Sequence, residues 1–256
     1  MTDLTLIYYT DNSMDEDVAK RIREYALEVT QNKYPVVSVS QKPIDFGENI
    51  CIGEVGKSKY NLWKQVLIAA QAAKTKYVAC IEDDTLYSPD YFTYRPADDV
   101  ISYEGNYWFV QPGGRDYYWR LGKKYQLGGQ FGCISNRQLI VDNLAVRYSM
   151  YTKDPYLDPN YMSRVRRHDR VHFGEPGRNY DRQYKIYDSK SEVFFSNNPC
   201  VVFIHTKSLG FRGFTKHHLK KYGYPTVENT AVYLPQFGTP KDIFDRFWRG
   251  NKSNVN

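Results

Sequence analysis

No apolar run in this sequence reaches the roughly 18 residues that a membrane-crossing helix needs. The opening residues, MTDLTLIYYT, carry neither a basic segment nor a small-residue cleavage site, so no secretory leader and a cytoplasmic location are expected. Cysteine is scarce: Cys51, Cys80, Cys133 and Cys200 lie far apart and none forms a CxxC. That spacing gives no support to an all-cysteine zinc site, and free, buried thiols are the expected state. His168 and His172 have the four-residue spacing of a zinc-protease helix but enclose Asp-Arg-Val, so the HExxH signature is missing. There is no internal repeat, no low-complexity tract and no composition break that reads as a linker. Charge of one sign is not dominant either. The excess of 35 Lys+Arg over 29 Asp+Glu gives a formal net charge of +6, modest for a dedicated nucleic-acid binder and suited to an anionic substrate.

Aromatic residues, in contrast, are abundant, with 24 Tyr, 13 Phe and 4 Trp. Tyrosine suits surfaces that must be apolar and hydrogen-bonding together, such as a groove that stacks sugars or bases, although most of these rings must serve core packing. Local patterns then order the first part of the chain. Leu4 to Tyr9 (LTLIYY) reads as a strand ending in the polar loop Thr10-Asp11-Asn12-Ser13. Val18, Ile22, Ala26 and Val29 recur at helical spacing and predict a helix over Met14 to Thr30, with Asp15, Glu16 and Asp17 favourable in its first turn. Pro35 to Ser40 reads as a second strand, Tyr60 to Ala73 as a second helix and Tyr77 to Ile81 (YVACI) as a doubly covered central strand. Gly53-Glu-Val-Gly56-Lys57-Ser58 carries the end of a phosphate-binding P-loop, but Cys51 stands where its first glycine belongs, so a turn leading into the second helix is expected. Strand, helix, strand, helix, strand implies parallel βαβ units and an α/β fold. Beyond this point the periodicity weakens. Ala97 to Val110 suggests one or two strands and Gln138 to Arg147 a helix. Asp154 to Asp188 suggests a long functional loop, Cys200 to Ile204 (CVVFI) a buried strand and Lys241 to Arg249 a short amphipathic helix.

The chemistry concentrates at Glu82-Asp83-Asp84, directly after YVACI. Ligands of open α/β sheets bind beyond the carboxyl ends of the strands. Adjacent carboxylates there repel one another unless a cation or strong donors stabilise them, and Mg²⁺ or Mn²⁺ would do so while also taking phosphate oxygens. The competing reading is a solvated acidic turn that caps the next helix.

The stretch from Tyr60-Asn61 to Glu82-Asp83-Asp84-Thr85-Leu86-Tyr87-Ser88-Pro89-Asp90-Tyr91-Phe92, including Ala73-Lys74-Thr75-Lys76-Tyr77-Val78, resembles the core of a GT-A glycosyltransferase of the family-2-like type. The resemblance covers residues 1–95 and is weak beyond. It implies a Rossmann-like, mixed, mostly parallel central sheet with helices on both faces. It also implies one domain over 1–256, with a nucleotide-sugar half over 1–95 and an irregular acceptor half over 96–256 that ends in a helix. The acidic triplet stands where that family has its DxD motif, with Glu in place of the first Asp. Carried over, Glu82 or Asp83 serves the nucleotide and Asp84 the metal. Thr10, Asp11 and Asn12 match the loop that holds nucleobase and ribose, while Lys57 and Asn61 would lie beside the diphosphate. His205, after CVVFI, resembles a late metal ligand by position, and Lys207 and Arg212 are candidates for the diphosphate. The implied activity is metal-dependent transfer from a nucleotide-diphosphate sugar, a UDP-sugar by expectation.

An inverting transfer needs a carboxylate to take the acceptor's proton. Glu175, within Gly-Glu-Pro-Gly, and Asp181 are the candidates. They lie in the basic run RVRRHDRVHFGEPGRNYDR, where Arg164, Arg166, Arg167, Arg170 and Arg178 suit the phosphates of a nucleic acid, unless the run is only a solvated loop. A short, Tyr- and Arg-rich chain of this type resembles bacteriophage glycosyltransferases, some of which modify hydroxymethylated pyrimidines in DNA. A polysaccharide or lipid-linked acceptor fits as well. A metal-dependent nuclease or a noncatalytic nucleic-acid-binding module are the readings from other classes, and no second carboxylate cluster speaks for the nuclease.

Overall fold

The computed structural model describes residues 2–111, 116–119, 132–150, 190–205 and 233–250. Seven strands build the main sheet: β1 (Leu4–Thr10), β2 (Val36–Ser40), β3 (Glu48–Cys51), β4 (Tyr77–Ile81), β6 (Val100–Glu104), β9 (Cys133–Asn136) and β10 (Lys190–Phe194). Their order across the sheet is β10-β6-β9-β4-β1-β2-β3. All pairs are parallel except those of β9, which runs antiparallel to both β4 and β6. The expected mixed, mostly parallel α/β sheet is therefore present.

Helix α1 (Glu16–Val29) starts where Asp15 accepts hydrogen bonds from the amides of Asp17 and Val18, with Glu16 and Asp17 in its first turn. It stops after Thr30, whose hydroxyl donates to the Ala26 carbonyl, because Gln31 and Asn32 both adopt φ of 53°. Helix α2 (Lys59–Ala72) is capped by Ser58, whose hydroxyl accepts from the Asn61 amide. Trp63, Val66, Leu67, Ala69 and Ala70 of α2 pack with Ile140 and Leu144 of α3 (Arg137–Met150) against Ile7, Tyr9, Val37, Val39, Val78 and Cys80. The alternate residues of the same strands, Leu4, Leu6, Tyr8, Ala79 and Ile81, face the other way.

That opposite face is covered differently from the expectation. Besides α1, a second sheet lies on it, made of β5 (Thr85–Leu86), β7 (Tyr107–Gln111), β8 (Asp116–Trp119) and β11 (Cys200–Phe203) in the order β5-β11-β7-β8. Tyr107, Phe109, Cys200 and Val202 point into the core between the sheets. Leu86, Trp108, Val110, Val201 and Phe203 point outward. There Met14, just before α1, with Val18, Ile22 and Tyr25 of α1 and Ile243, Phe244 and Phe247 of the C-terminal helix cover them. The described part of the second half is thus more regular than its sequence suggests. The helix expected over Lys241 to Arg249 is an α-helical turn, α4 (Pro240–Ile243), that continues as a π-helix over Phe244–Arg249. The loop expected over Asp154 to Asp188 lies outside the described residues.

The connectivity places a reversal where open α/β sheets have their ligand crevice. From β1 the chain passes through α1 to β2 and then β3 on one side, whereas α2 returns it to β4 on the other side of β1. The direction of winding reverses between β1 and β4, and the carboxyl ends of these neighbours are where α/β sheets bind ligands.

Candidate active site

The acidic triplet sits at this reversal. The register pairs Tyr8 with Ile81, so Tyr9 and Thr10 run alongside Glu82 and Asp83. The side chains follow: the Tyr9 hydroxyl donates to Glu82 Oε1 at 2.8 Å, and Thr10 Oγ1 donates to Asp83 Oδ2 at 2.6 Å. The Glu82 amide donates to the Tyr87 hydroxyl at 3.2 Å. Asp84 is tied instead to the second sheet. Its carbonyl accepts from the Phe203 amide at 2.8 Å, Thr85 Oγ1 donates to its Oδ1 at 2.9 Å, and His205 Nε2 lies 3.5 Å from its Oδ2. Both side chains of this last pair are largely buried, 11% exposed for Asp84 and 9% for His205.

Electrostatics in the cluster follow from crowding. Burial lifts the Glu82 carboxyl well above the usual carboxylate range and the Asp84 charge adds to this, while the Tyr9 hydrogen bond opposes it. Burial and then Asp84 push Asp83 up to about 7, against the Thr10 hydroxyl. A cation or further donors at this strand end would favour the ionised forms of Glu82 and Asp83 that burial disfavours.

The loop after β1 and the turn before α2 form the adjoining wall. Asp11 Oδ1 accepts from the Ser13 amide, and Asn12, at φ 56°, accepts from the amides of Gln41 and Lys42 at 2.8 Å each. Lys57 Nζ reaches Asp11 Oδ2 at 3.3 Å and Ser13 Oγ at 3.0 Å. Asn61 Nδ2 donates to the carbonyls of Val55 and Gly56, so its amide holds the turn together. The turn does follow a strand, β3, as a P-loop would, but the Gly56 amide is already taken by Gln41 Oε1 at 3.1 Å.

Thr10, Asp11, Asn12, Lys57, Glu82, Asp83, Asp84 and His205 thus gather around the carboxyl ends of β1, β4 and β11, while the Asn61 side chain, among the described residues, bonds only to the turn carbonyls of Val55 and Gly56. Lys207, Arg212, Glu175, Asp181 and Arg164, Arg166, Arg167, Arg170 and Arg178 lie outside the described residues. Tyr9, Tyr87 and Gln65, whose Nε2 donates to the Thr10 carbonyl at 2.9 Å, also build the site and escaped the sequence reading. Gln65 is buried on the packed face of α2, where a polar residue among apolar neighbours was the available signal.

The donor set can be weighed against a metal. Among the described residues no group of three or more His, Cys, Asp or Glu side chains converges as a metal site. Asp84 and His205 form a pair whose 3.5 Å separation is close to the ~3 Å between adjacent ligands of an octahedral ion with bonds of about 2.1 Å. The pair fits a cation that takes its other ligands from substrate and water.

No family model and no curated protein matches the chain. Among solved structures, it is similar to S. aureus TarS 1–349 in complex with UDP-GlcNAc, at 10% identity and TM-score 0.45 over 86% of this chain and 64% of that one. A glycosyltransferase involved in the glycosylation of the major capsid of PBCV-1 is similar at 10% identity and TM-score 0.42, over 76% and 82%. Drosophila β1,4-galactosyltransferase 7, in complex with manganese, UDP-Gal and xylobiose, is similar at 12% identity and TM-score 0.33, over 54% and 50%. In a further comparison the match spans about half, 49%, of TarS 1–349. No described helix is long and apolar enough to cross a membrane.

Proposed function

We propose that the chain is a glycosyltransferase that moves a sugar from a nucleotide-diphosphate sugar, a UDP-sugar, to an acceptor hydroxyl. The observation that carries this reading is the bonding of the end of β1 to the acidic triplet across the reversal between β1 and β4, through Thr10 to Asp83 and Tyr9 to Glu82. Thr10 occupies Asp83 Oδ2 and leaves Oδ1 to accept from a ribose hydroxyl or a base N–H. Asp11 orients Lys57, whose side chain is one-third exposed and whose ammonium is assigned to the diphosphate. Asp84 and His205 would hold a divalent cation, Mn²⁺ or Mg²⁺, which when bound stabilises the charge of a nucleoside-diphosphate leaving group. Carboxylates that flank each other without an ammonium or guanidinium among the described contacts of Glu82 and Asp83 suit this use better than a solvated turn would.

The proposed acceptor is a hydroxymethylated pyrimidine of DNA. Its support is the basic run over 164–182, whose guanidinium groups suit backbone phosphates, with Glu175 or Asp181 assigned to the acceptor's proton.

Thermal unfolding with nucleoside diphosphates, with and without Mn²⁺, tests the donor reading. Ligand at a hundredfold its Kd adds about 2.7 kcal/mol to stability. For a chain of this size UDP with Mn²⁺ should therefore raise Tm by roughly 5–10 °C. The Asp84→Ala variant should lose the metal-dependent part of that rise. If no nucleoside diphosphate moves Tm in either condition, the proposal is wrong.

A further inference from the structure

We infer that Trp248, on the C-terminal helix, is a positioning residue that holds the His205 imidazole against Asp84. His205 lies two residues beyond the end of β11, where the backbone alone leaves the imidazole free to turn about two side-chain bonds. Among the described residues, two groups are seen against it. One is Asp84 Oδ2, at 3.5 Å; the other is the Trp248 ring, whose centroid lies 6.0 Å away with a tilt of 44°. Trp248 also packs on Phe203, at the end of the same strand, with centroids 5.5 Å apart.

Trp248 is itself fixed. It belongs to the π-helical stretch Phe244–Arg249, a geometry found often at functional sites. Phe244 and Phe247 are buried against α1 and the outer face of the second sheet. Arg21 of α1 donates from Nε to the Phe247 carbonyl at 2.9 Å and from Nη2 to the Trp248 carbonyl at 3.1 Å. Arg246 pairs with Glu28 at 3.0 Å. Gly250 ends the segment at φ 68°, and a Cβ there would come within 3.0 Å of Arg21 Nη1. Arg21 thus locks the backbone that carries the indole, and the indole walls in the imidazole. A segment more than 160 residues from the acids in sequence is thereby part of their site, which a reading confined to the strand ends does not include.

The test is the imidazole NMR spectrum of labelled protein, with the His205 signal assigned by its loss in His205→Gln. In Trp248→Ala the His205 Cε1–H resonance should move, through loss of the indole ring current, while the far-ultraviolet circular dichroism is kept. Trp248→Phe should restore part of the shift, and Arg21→Gln, which frees the two carbonyls, should produce a smaller displacement of the same signal. If Trp248→Ala does not fold, the Trp248→Phe and Arg21→Gln spectra decide. A His205 signal unmoved in the folded variants overturns the inference. A second arm, Mn²⁺ titration, rests on the function proposed above: Trp248→Ala should weaken binding by roughly tenfold, as losses around a metal ligand do, and Trp248→Phe should recover most of it. Failure of the unmodified protein to bind Mn²⁺ would count against that function, whereas the imidazole shift tests Trp248 independently of any ligand.

Discussion

Thr10 does two things with one hydroxyl. It donates to Asp83 Oδ2 at 2.6 Å and accepts from the Asn12 amide at 2.9 Å, so it fixes the carboxylate and the turn after β1 together. Its own carbonyl is held by Gln65. Valine has the same shape without the oxygen. Thr10→Val should therefore leave the buried strand intact, free Asp83 to rotate and strand the Asn12 amide. The expected stability loss is about 1–3 kcal/mol, the desolvation cost of a buried polar group left without its partner. UDP affinity in the presence of Mn²⁺ should fall about tenfold, while Thr10→Ser, which keeps the hydroxyl, should stay within twofold of the parent. Urea unfolding and calorimetric titration read the two effects separately. Loss of stability with undiminished affinity would remove Thr10 from the binding machinery and leave it a structural turn residue.

At the level of elements, helix α2 meets the crevice through its cap. Ser58 accepts from the Asn61 amide at 3.1 Å, and Lys57, one residue earlier, reaches Asp11 and Ser13. Removing the cap in Ser58→Ala should cost about 1 kcal/mol of stability by denaturant titration. UDP binding should weaken with it if the cap sets the place of Lys57, and unchanged binding would show that Asp11 suffices to hold the lysine. The same helix shows why parts of the fold could be read in advance. Tyr77 to Ile81 is a continuous apolar strand and Leu4 to Tyr9 a largely apolar one, and α1 and α2 bury regular faces, so the parallel core declared itself. Strand β3, Glu48–Cys51, did not, because its residues are polar or half-exposed on both sides of an edge. The second sheet was hidden for another reason. It is assembled from a two-residue strand, β5, and from segments far apart in the chain, whose pairing no local pattern encodes. In the site, acids and a histidine at strand ends were legible from chemistry and position. Tyr9, Arg21 and Trp248 were not, since a strand tyrosine, a helix arginine and a terminal tryptophan read as ordinary packing until the tertiary contacts bring them to the acids.

Across the whole molecule, two of the crossings between the sheets share one carboxylate. The chain leaves the main sheet at the end of β6 for β7, and again at the end of β10 for β11. Glu104 stands between them. Its Oε1 accepts from the amides of Gly105 at 2.9 Å, Asn106 at 2.7 Å and Ser196 at 3.2 Å, while Asn106 Nδ2 donates to the Ser196 carbonyl at 2.8 Å. With only 2% of the residue exposed, burial outweighs these donors and pushes the carboxyl up to about 7, whereas in the unfolded chain it returns to the ordinary range near 4.5. The sign can then be worked out. Below about 4.5 the group is protonated in both states and its contribution to stability is complete. As pH rises towards 7 the unfolded chain releases the proton and the folded one retains it, so stability falls, and above about 7 no further change comes from this group. Glu104→Gln keeps an oxygen for the clustered amides and removes the titration. The difference in unfolding free energy between the parent protein and this variant should therefore slope across pH 4.5–7, by up to about 3 kcal/mol in total, and be flat outside that window. Taking the difference cancels the slope that the raised carboxyls of Glu82 and Asp83 impose on both proteins. Parallel stability curves for the two proteins would mean that the amides around Glu104 hold it ionised, and that the joint between the sheets is a charged anchor and not a protonated one.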